Sequence, residues 1–394
     1  MQLRNYVLFF AVLALLGSCK EKEKEKEKIK TITVKNDLKI DRSSETVELT
    51  KDFLKVEDLS RIGIRNVDSQ ALSVTQLIDE DGDGTMDLLI FQPEIKADSK
   101  QTFEIVTISE SERPEAPEYC YSRFVPERTD DYAWENDKVA FRVYGPNAQE
   151  LFEAGDPNGT LSSGVDAWLK RVDYPIIDKW YKKATDGTGT YHEDTGEGLD
   201  NFHVGPSRGV GGIAVKGDSE YYISKNYTQW RTITNGPLRT SFYLEYESWD
   251  AGGKSIKESK VITLDLGQNF SKFDTRIEGT DQISAGLTLH DKKGEVSGNK
   301  EQGWVSYWEP IADTEIGIAI VATEKYFIDY ETYDTEVKDL SNAYAHLNVI
   351  DNRVVYYAGF AWKKSEQYPT KDLWEAHLED FSKRLDNPLT VSLD

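Results

Sequence analysis

Past Trp134 the chain is a succession of short runs in which apolar and polar residues alternate. They are Lys138–Tyr144, Gly212–Val215, Tyr221–Ile223, Thr240–Glu247, Ser259–Leu266, Lys272–Glu278, Ile316–Val321 and Arg353–Trp362. A period of two is what a strand with one buried face requires. The spacings suit hairpins and long returns rather than βαβ units, so a large antiparallel sandwich is expected. The abundant aromatics, 9 Trp and 21 Tyr, favour the same structure. Val165–Tyr181 is expected to be partly helical. One further helix is expected, Lys371–Leu385, where Trp374, Leu378, Phe381 and Leu385 fall on one face and Thr370 is the N-cap. His377 sits near that face and reads as a packing residue.

Residues 31–115 read as a smaller all-β domain. Thr31–Val34 and Glu45–Leu49 alternate, and Thr75–Ile78 and Met86–Gln92 flank a turn, which predicts a hairpin. The turn, Asp79-Glu80-Asp81-Gly82-Asp83-Gly84, places Asp79, Asp81, Asp83 and Asp87 where a calcium loop has its carboxylates. Ile90 stands where such a loop needs a bidentate Glu, so a hydrated Asp/Gly turn is the competing reading. No cofactor is required by the sequence, and calcium is the metal this turn suggests. Pro and Glu enrichment over Ser111–Pro126 marks the boundary to the main domain, 116–394.

The N-terminus reads as a targeting segment. Arg4 precedes the apolar run Tyr6–Leu16, and Gly17-Ser18-Cys19 follows, a pattern similar to a bacterial lipobox. Residues 1–19 are then a lipoprotein signal with Cys19 as the lipidated residue, and 20–30, a Lys/Glu alternation, a solvated tether. The expected location is the outer membrane, held by the lipid anchor and facing either the periplasm or the cell surface. Past Cys19 only Cys120 remains, so no internal disulfide can form. A net charge of −23 argues against nucleic acid and against a basic membrane patch.

Chemistry concentrates in Tyr191–Gly212. Two of the five histidines, His192 and His203, lie here among acidic residues, Arg208 and many glycines. Glycine lets backbone approach a ligand closely, and imidazole serves as acid or base near neutral pH. The His pair, Arg208 as a carboxylate clamp and Tyr191 as an auxiliary donor suit proton abstraction α to a carboxylate. Arg231, Trp168, Lys170, Ser207 and His346 are the candidate substrate-binding residues; His290 is a further groove candidate. The same stretch leaves rivals open: zinc on His192 and His203, a glycosidase on two of Glu193, Asp194, Glu197 and Asp200, and a serine hydrolase at Gly205-Pro206-Ser207-Arg208-Gly209.

Trp168–Pro175, Tyr191-His192-x-Asp194-x-Gly196-x-Gly198, Val204-Gly205-x-Ser207-x-Gly209 and Asn235–Arg239 resemble Bacteroidetes lipoproteins of polysaccharide-utilisation loci, long described as a domain of unknown function. The resemblance covers roughly Cys120–Leu385 and extends to ulvan oligosaccharide dehydratases of marine flavobacteria. It implies a galactose-mutarotase-like β-sandwich, a supersandwich. It also implies loss of water across C4–C5 of a non-reducing-end uronate, with an anionic oligosaccharide as partner, its rhamnose sulfated or not. A lyase cutting by β-elimination is the nearest alternative; a glycosidase and a non-catalytic glycan-binding lipoprotein are the others.

Overall fold

A computed structural model describes residues 30–394. Residues 1–29, on which the expected signal segment, Cys19 and most of the expected tether fall, lie outside the described residues. The protein is all-β with few helices, built as two sandwiches of unequal size.

The small sandwich faces a four-stranded sheet against a three-stranded one. The first has the order Thr390–Leu393, Thr31–Asn36, Ser99–Thr107, Ile62–Asn66; the second Val47–Thr50, Leu88–Phe91, Thr75–Ile78. Alternation is strict where it was read: Ile32, Val34, Val47 and Leu49 point inward and bury against Ile64, Leu89, Phe91 and Phe103. The expected hairpin forms, with Thr75 opposite Phe91 and Ile78 opposite Leu88. One assignment is corrected. The last strand, Thr390–Leu393, pairs with Thr31–Asn36 and belongs to the small sandwich rather than to the 116–394 unit.

The large sandwich is built on a nine-stranded antiparallel sheet. Its main path runs Tyr227–Thr234, Arg239–Tyr246, Ser255–Asp265, Phe270–Glu278, Arg353–Trp362, Thr314–Val321, Trp304–Ile311, Glu295–Asn299. Two five-stranded sheets share one apolar core with it. One contains Val210–Lys216, Gln282–Thr288 and Asn342–Asn348; the other contains Asp131–Glu135, Ala140–Val143 and Asp166–Lys170. Phe141, Leu169, Val210, Leu287, Phe242, Ile318 and Phe360 meet in that core.

The C-terminal helix forms over Lys371–Asp386, with the Thr370 hydroxyl accepting from the Leu373 N–H as N-cap. Trp374, Leu378 and Phe381 bury against Phe270, Trp304 and Val321 on the outer face of the large sheet. At about 1.5–3 kcal/mol per fully buried large side chain, this contact rather than helix propensity holds the helix in place. His377 stacks among Phe270, Tyr368 and Trp374, a packing role. The partly helical stretch resolves into a strand, Asp166–Lys170, and a helix, Ile177–Thr185, with Pro175 between. Cys120 is free and buried.

Candidate active site

The Tyr191–Gly212 stretch runs as a loop over the end of the strand Asp166–Lys170, and its glycines are what let it lie there. Gly198 has φ +116°, and a Cβ on it would sit 1.9 Å from the Leu169 carbonyl oxygen. Gly205 has φ +50°, and a Cβ there would crowd both the His203 imidazole and the Asp339 carboxylate at 3.0 Å. The first glycine brings the loop onto the strand; the second leaves room for a histidine and its partner.

His192 and His203 line one cavity of about 640 Å³. Each ring has one nitrogen engaged. His192 Nδ1 lies 2.7 Å from the Asp200 carbonyl oxygen, an acceptor, so Nδ1 carries the proton and Nε2 keeps its lone pair. His203 Nε2 lies 3.0 Å from Asp339 Oδ2, which fixes the opposite tautomer and leaves Nδ1 free. Both side chains are 60% exposed.

Arg142 and Tyr144 also line the cavity. Arg142 Nη2 donates to Asp166 Oδ2 at 2.5 Å and to Asp200 Oδ2 at 2.9 Å, and its Nη1 stands 3.5 Å from Asp131. Three buried carboxylates therefore surround one guanidinium, with Arg128 near by on the Tyr191 hydroxyl at 3.3 Å. Burial, reinforced by the charge of Asp200, pushes the Asp166 carboxyl well up, and burial pushes Asp131 up to about 6. Burial also raises the Tyr144 phenol, which donates to Asp166 Oδ2 at 3.3 Å and is held as a neutral donor.

The other sequence candidates fall elsewhere. Arg208 is fully buried, donating to Pro206 O, Ser163 Oγ and Ile213 O; it ties the loop to its neighbours and does not line the cavity. Tyr191 is buried, its ring stacked on Trp168 and its hydroxyl accepting from Arg128 and Arg142. Trp168 is core, packed against Trp180 and Tyr181, with no face open to a sugar. Lys170 is buried and donates to Glu135 Oε2 at 2.7 Å and to two carbonyls. The Ser207 hydroxyl is buried and accepts from the Gly209 N–H. Arg231 reaches the small sandwich, donating to Glu80 O at 3.0 Å. His346 lies on the strand Asn342–Asn348 between Ser284 and Glu331. None of them lines the cavity that His192 and His203 share.

Two of the rival carboxylates are also committed. Glu197 is held by Lys179, Tyr174 and Trp180, and Asp194 by Arg171 and the Gly196 and Gly198 N–H groups. In the small sandwich, Asp79, Asp81 and Asp87 bring ligand atoms within 4.8 Å of one another, while Asp83 turns to accept from the Thr85 N–H. Ile90, in place of the bidentate Glu, is buried in a strand. Sequence reading missed Arg142, Tyr144, Asp166 and Asp339. A signal for the first pair was present: Arg142 is a charged residue inside the alternating run Lys138–Tyr144, where a solvated strand face offers no reason for neighbours that are all apolar.

A family model described as a domain of unknown function, DUF4861, matches residues 34–391. The chain belongs to that family. It is 54% identical over 389 residues to Uncharacterized protein P7 of Formosa agariphila, covering 98% of each. Among solved structures it is similar to an alpha-mannosidase from Enterococcus faecalis, with TM-score 0.51 and 11% identity. That match covers 93% of this chain and 46% of the mannosidase, so the chain spans less than half that enzyme's length, and the likeness is one of fold.

Proposed function

We propose that this DUF4861 protein acts on carbohydrate and removes water across C4–C5 of a non-reducing-end uronate in ulvan-type oligosaccharides. The observation that carries the reading is the pair His192 and His203 on one cavity. Each has a single ring nitrogen free, and Arg142 and Tyr144 stand in the same wall.

The reaction needs a base at C5, an acid at O4 and a cation for the charge that builds on the carboxylate. His192 Nε2 is the base: its Nδ1 is held by the Asp200 carbonyl oxygen at 2.7 Å, with the Asp200 carboxylate at 3.8 Å, so Nε2 is the nitrogen left to receive a proton. His203 is the acid, because the Asp339 carboxylate is a counter-ion for its imidazolium form. The C5–H pair becomes the C4=C5 bond, the C4–O4 bond breaks, and the departing hydroxyl leaves as water with the proton from His203 Nδ1. Arg142 takes the place expected of Arg208 at the substrate carboxylate, and the Tyr144 phenol is a second donor.

Ultraviolet absorbance of the conjugated alkene, with mass spectrometry, on saturated ulvan oligosaccharides tests the reading. Absorbance with loss of one water and an unchanged chain supports it. Absorbance with shorter products makes the protein a β-eliminating lyase. Shorter products without absorbance assign it to the glycosidases, with Asp200 as the carboxylate that lines the cavity. If nothing changes, elimination is refuted and glycan binding is the function left.

A further inference from the structure

A second cavity, about 450 Å³, adjoins the first. Asn201 and His203 line both, so the two are compartments of one groove with the His203 imidazole at their junction. We propose that the smaller compartment is a second sugar subsite, which takes an uncharged, hydroxylated pyranose joined to the uronate that reacts in the larger one. The proposal rests on the uronate reading above and extends it to substrate length.

The lining has the two-sided character of a pyranose. Pro310, Ile311 and Val337 present apolar surface, the match for the C–H face of a ring. Asp291, Glu336 and Lys338 present acceptors and a donor for its hydroxyl edge. Asp291 pairs with Lys293, Glu309 with His290 and Asp339 with His203, while Lys292 is engaged by Asp334 and by the Thr335 carbonyl oxygen. The lining thus has no surplus of cations to hold an anionic ring, whereas hydroxyls satisfy its acceptors.

The partition between the compartments is held firmly. His290 Nε2 faces the His203 carbonyl oxygen at 2.7 Å, its Nδ1 pairs with the buried Glu309 carboxylate, and its ring packs edge-on against Phe202. With an acceptor at each nitrogen the ring donates both ways and pins the backbone of His203. On the other side, Asp339 both orients His203 and closes the small compartment.

Val337 is 59% exposed and lines only the smaller compartment, so Val337→Trp fills it without touching the larger one. Calorimetric titration of wild type and V337W uses three probes: methyl glucuronide, the disaccharide glucuronyl-rhamnose and methyl rhamnoside. The expected result is that wild type binds the disaccharide about tenfold or more tighter than methyl glucuronide. V337W should lose that advantage with methyl glucuronide unchanged. Equal affinity for the disaccharide and methyl glucuronide in wild type overturns the subsite, as does a parallel loss of both in V337W. If methyl glucuronide does not bind, the uronate reading fails by itself. Methyl rhamnoside then decides the subsite: binding to wild type and not to V337W sustains it, and any other pattern removes it.

Discussion

Replacing Lys170 by methionine separates a structural role from a substrate-binding one. The ammonium is fully buried and donates to Glu135 Oε2 at 2.7 Å, Asn136 O at 2.8 Å and Tyr174 O at 2.9 Å. Glu135 is equally buried and also accepts from the Ile176 and Ile177 N–H groups at the start of the helix Ile177–Thr185. Breaking one partner out of a buried pair costs about 3–5 kcal/mol, because the other charge is left uncompensated. The two N–H donors that remain on Glu135 place the expected loss for Lys170→Met near the lower end, about 3 kcal/mol, with the two orphaned carbonyls adding about 1 kcal/mol each at most. The loss should depend on pH. Burial already holds the Glu135 carboxyl above its ordinary 4.5, and removing the ammonium raises it further. A carboxyl raised in the folded state gives stability below its unfolded value that is lost as pH rises through its folded value. The deficit of K170M is therefore smallest near pH 4.5 and grows toward neutrality. Adding Glu135→Gln removes the stranded charge while keeping an acceptor for the helix, and should restore most of the loss. Denaturant unfolding of the three variants across that range measures all of this. A K170M protein as stable as wild type, with weakened oligosaccharide binding, would refute the argument and return Lys170 to the substrate.

Other expectations follow from the same geometry. His192→Ala and His203→Ala should each abolish alkene formation while leaving the melting temperature within a few degrees, since both rings are exposed; activity close to wild type removes that residue from the mechanism. Arg142→Lys keeps the charge but loses the planar fork, and should lower kcat/KM by about a hundredfold, the scale of one lost transition-state donor; an unchanged value would show that the substrate carboxylate is held elsewhere. Burial pushes His377 down to about 3, so stability tied to its neutral ring is present above about 6.5 and lost as pH falls toward 3. His377→Phe should flatten that acid limb, and an unaltered limb on acid titration of unfolding contradicts the assignment. Cys19→Ala should move the protein from the membrane to the soluble fraction of fractionated cells; continued membrane attachment excludes a lipid anchor at that residue.

Much of the architecture was legible because it depends on local periods. Alternation in Thr31–Val34 or Lys272–Glu278 follows from one face being buried, and no distant residue is needed to read it. The final helix was legible for the same reason, with its cap at Thr370 and its stripe from Trp374 to Leu385. The two histidines were legible as a pair because glycines surround them.

What the residues of a strand face was decided only by the tertiary structure. Arg142 and Tyr144 join His192 and His203 from a strand some fifty positions earlier, and Asp339 reaches His203 from far downstream. Arg208 and Lys170 read as site residues because a charge in a motif suggests exposure. Their acceptors, Pro206 O and Ile213 O for one and Glu135 for the other, are set by how loop and sheets pack. The return of Thr390–Leu393 to Thr31–Asn36 is likewise a pairing between segments far apart in sequence. The sequence by itself determined periodicity, and with it the elements and their buried faces, because those follow from backbone geometry and the hydrophobic effect acting residue by residue. Tertiary structure decided which charges are compensated in the interior and which are left free at a cavity, because the partner that compensates a charge is chosen by packing rather than by sequence distance.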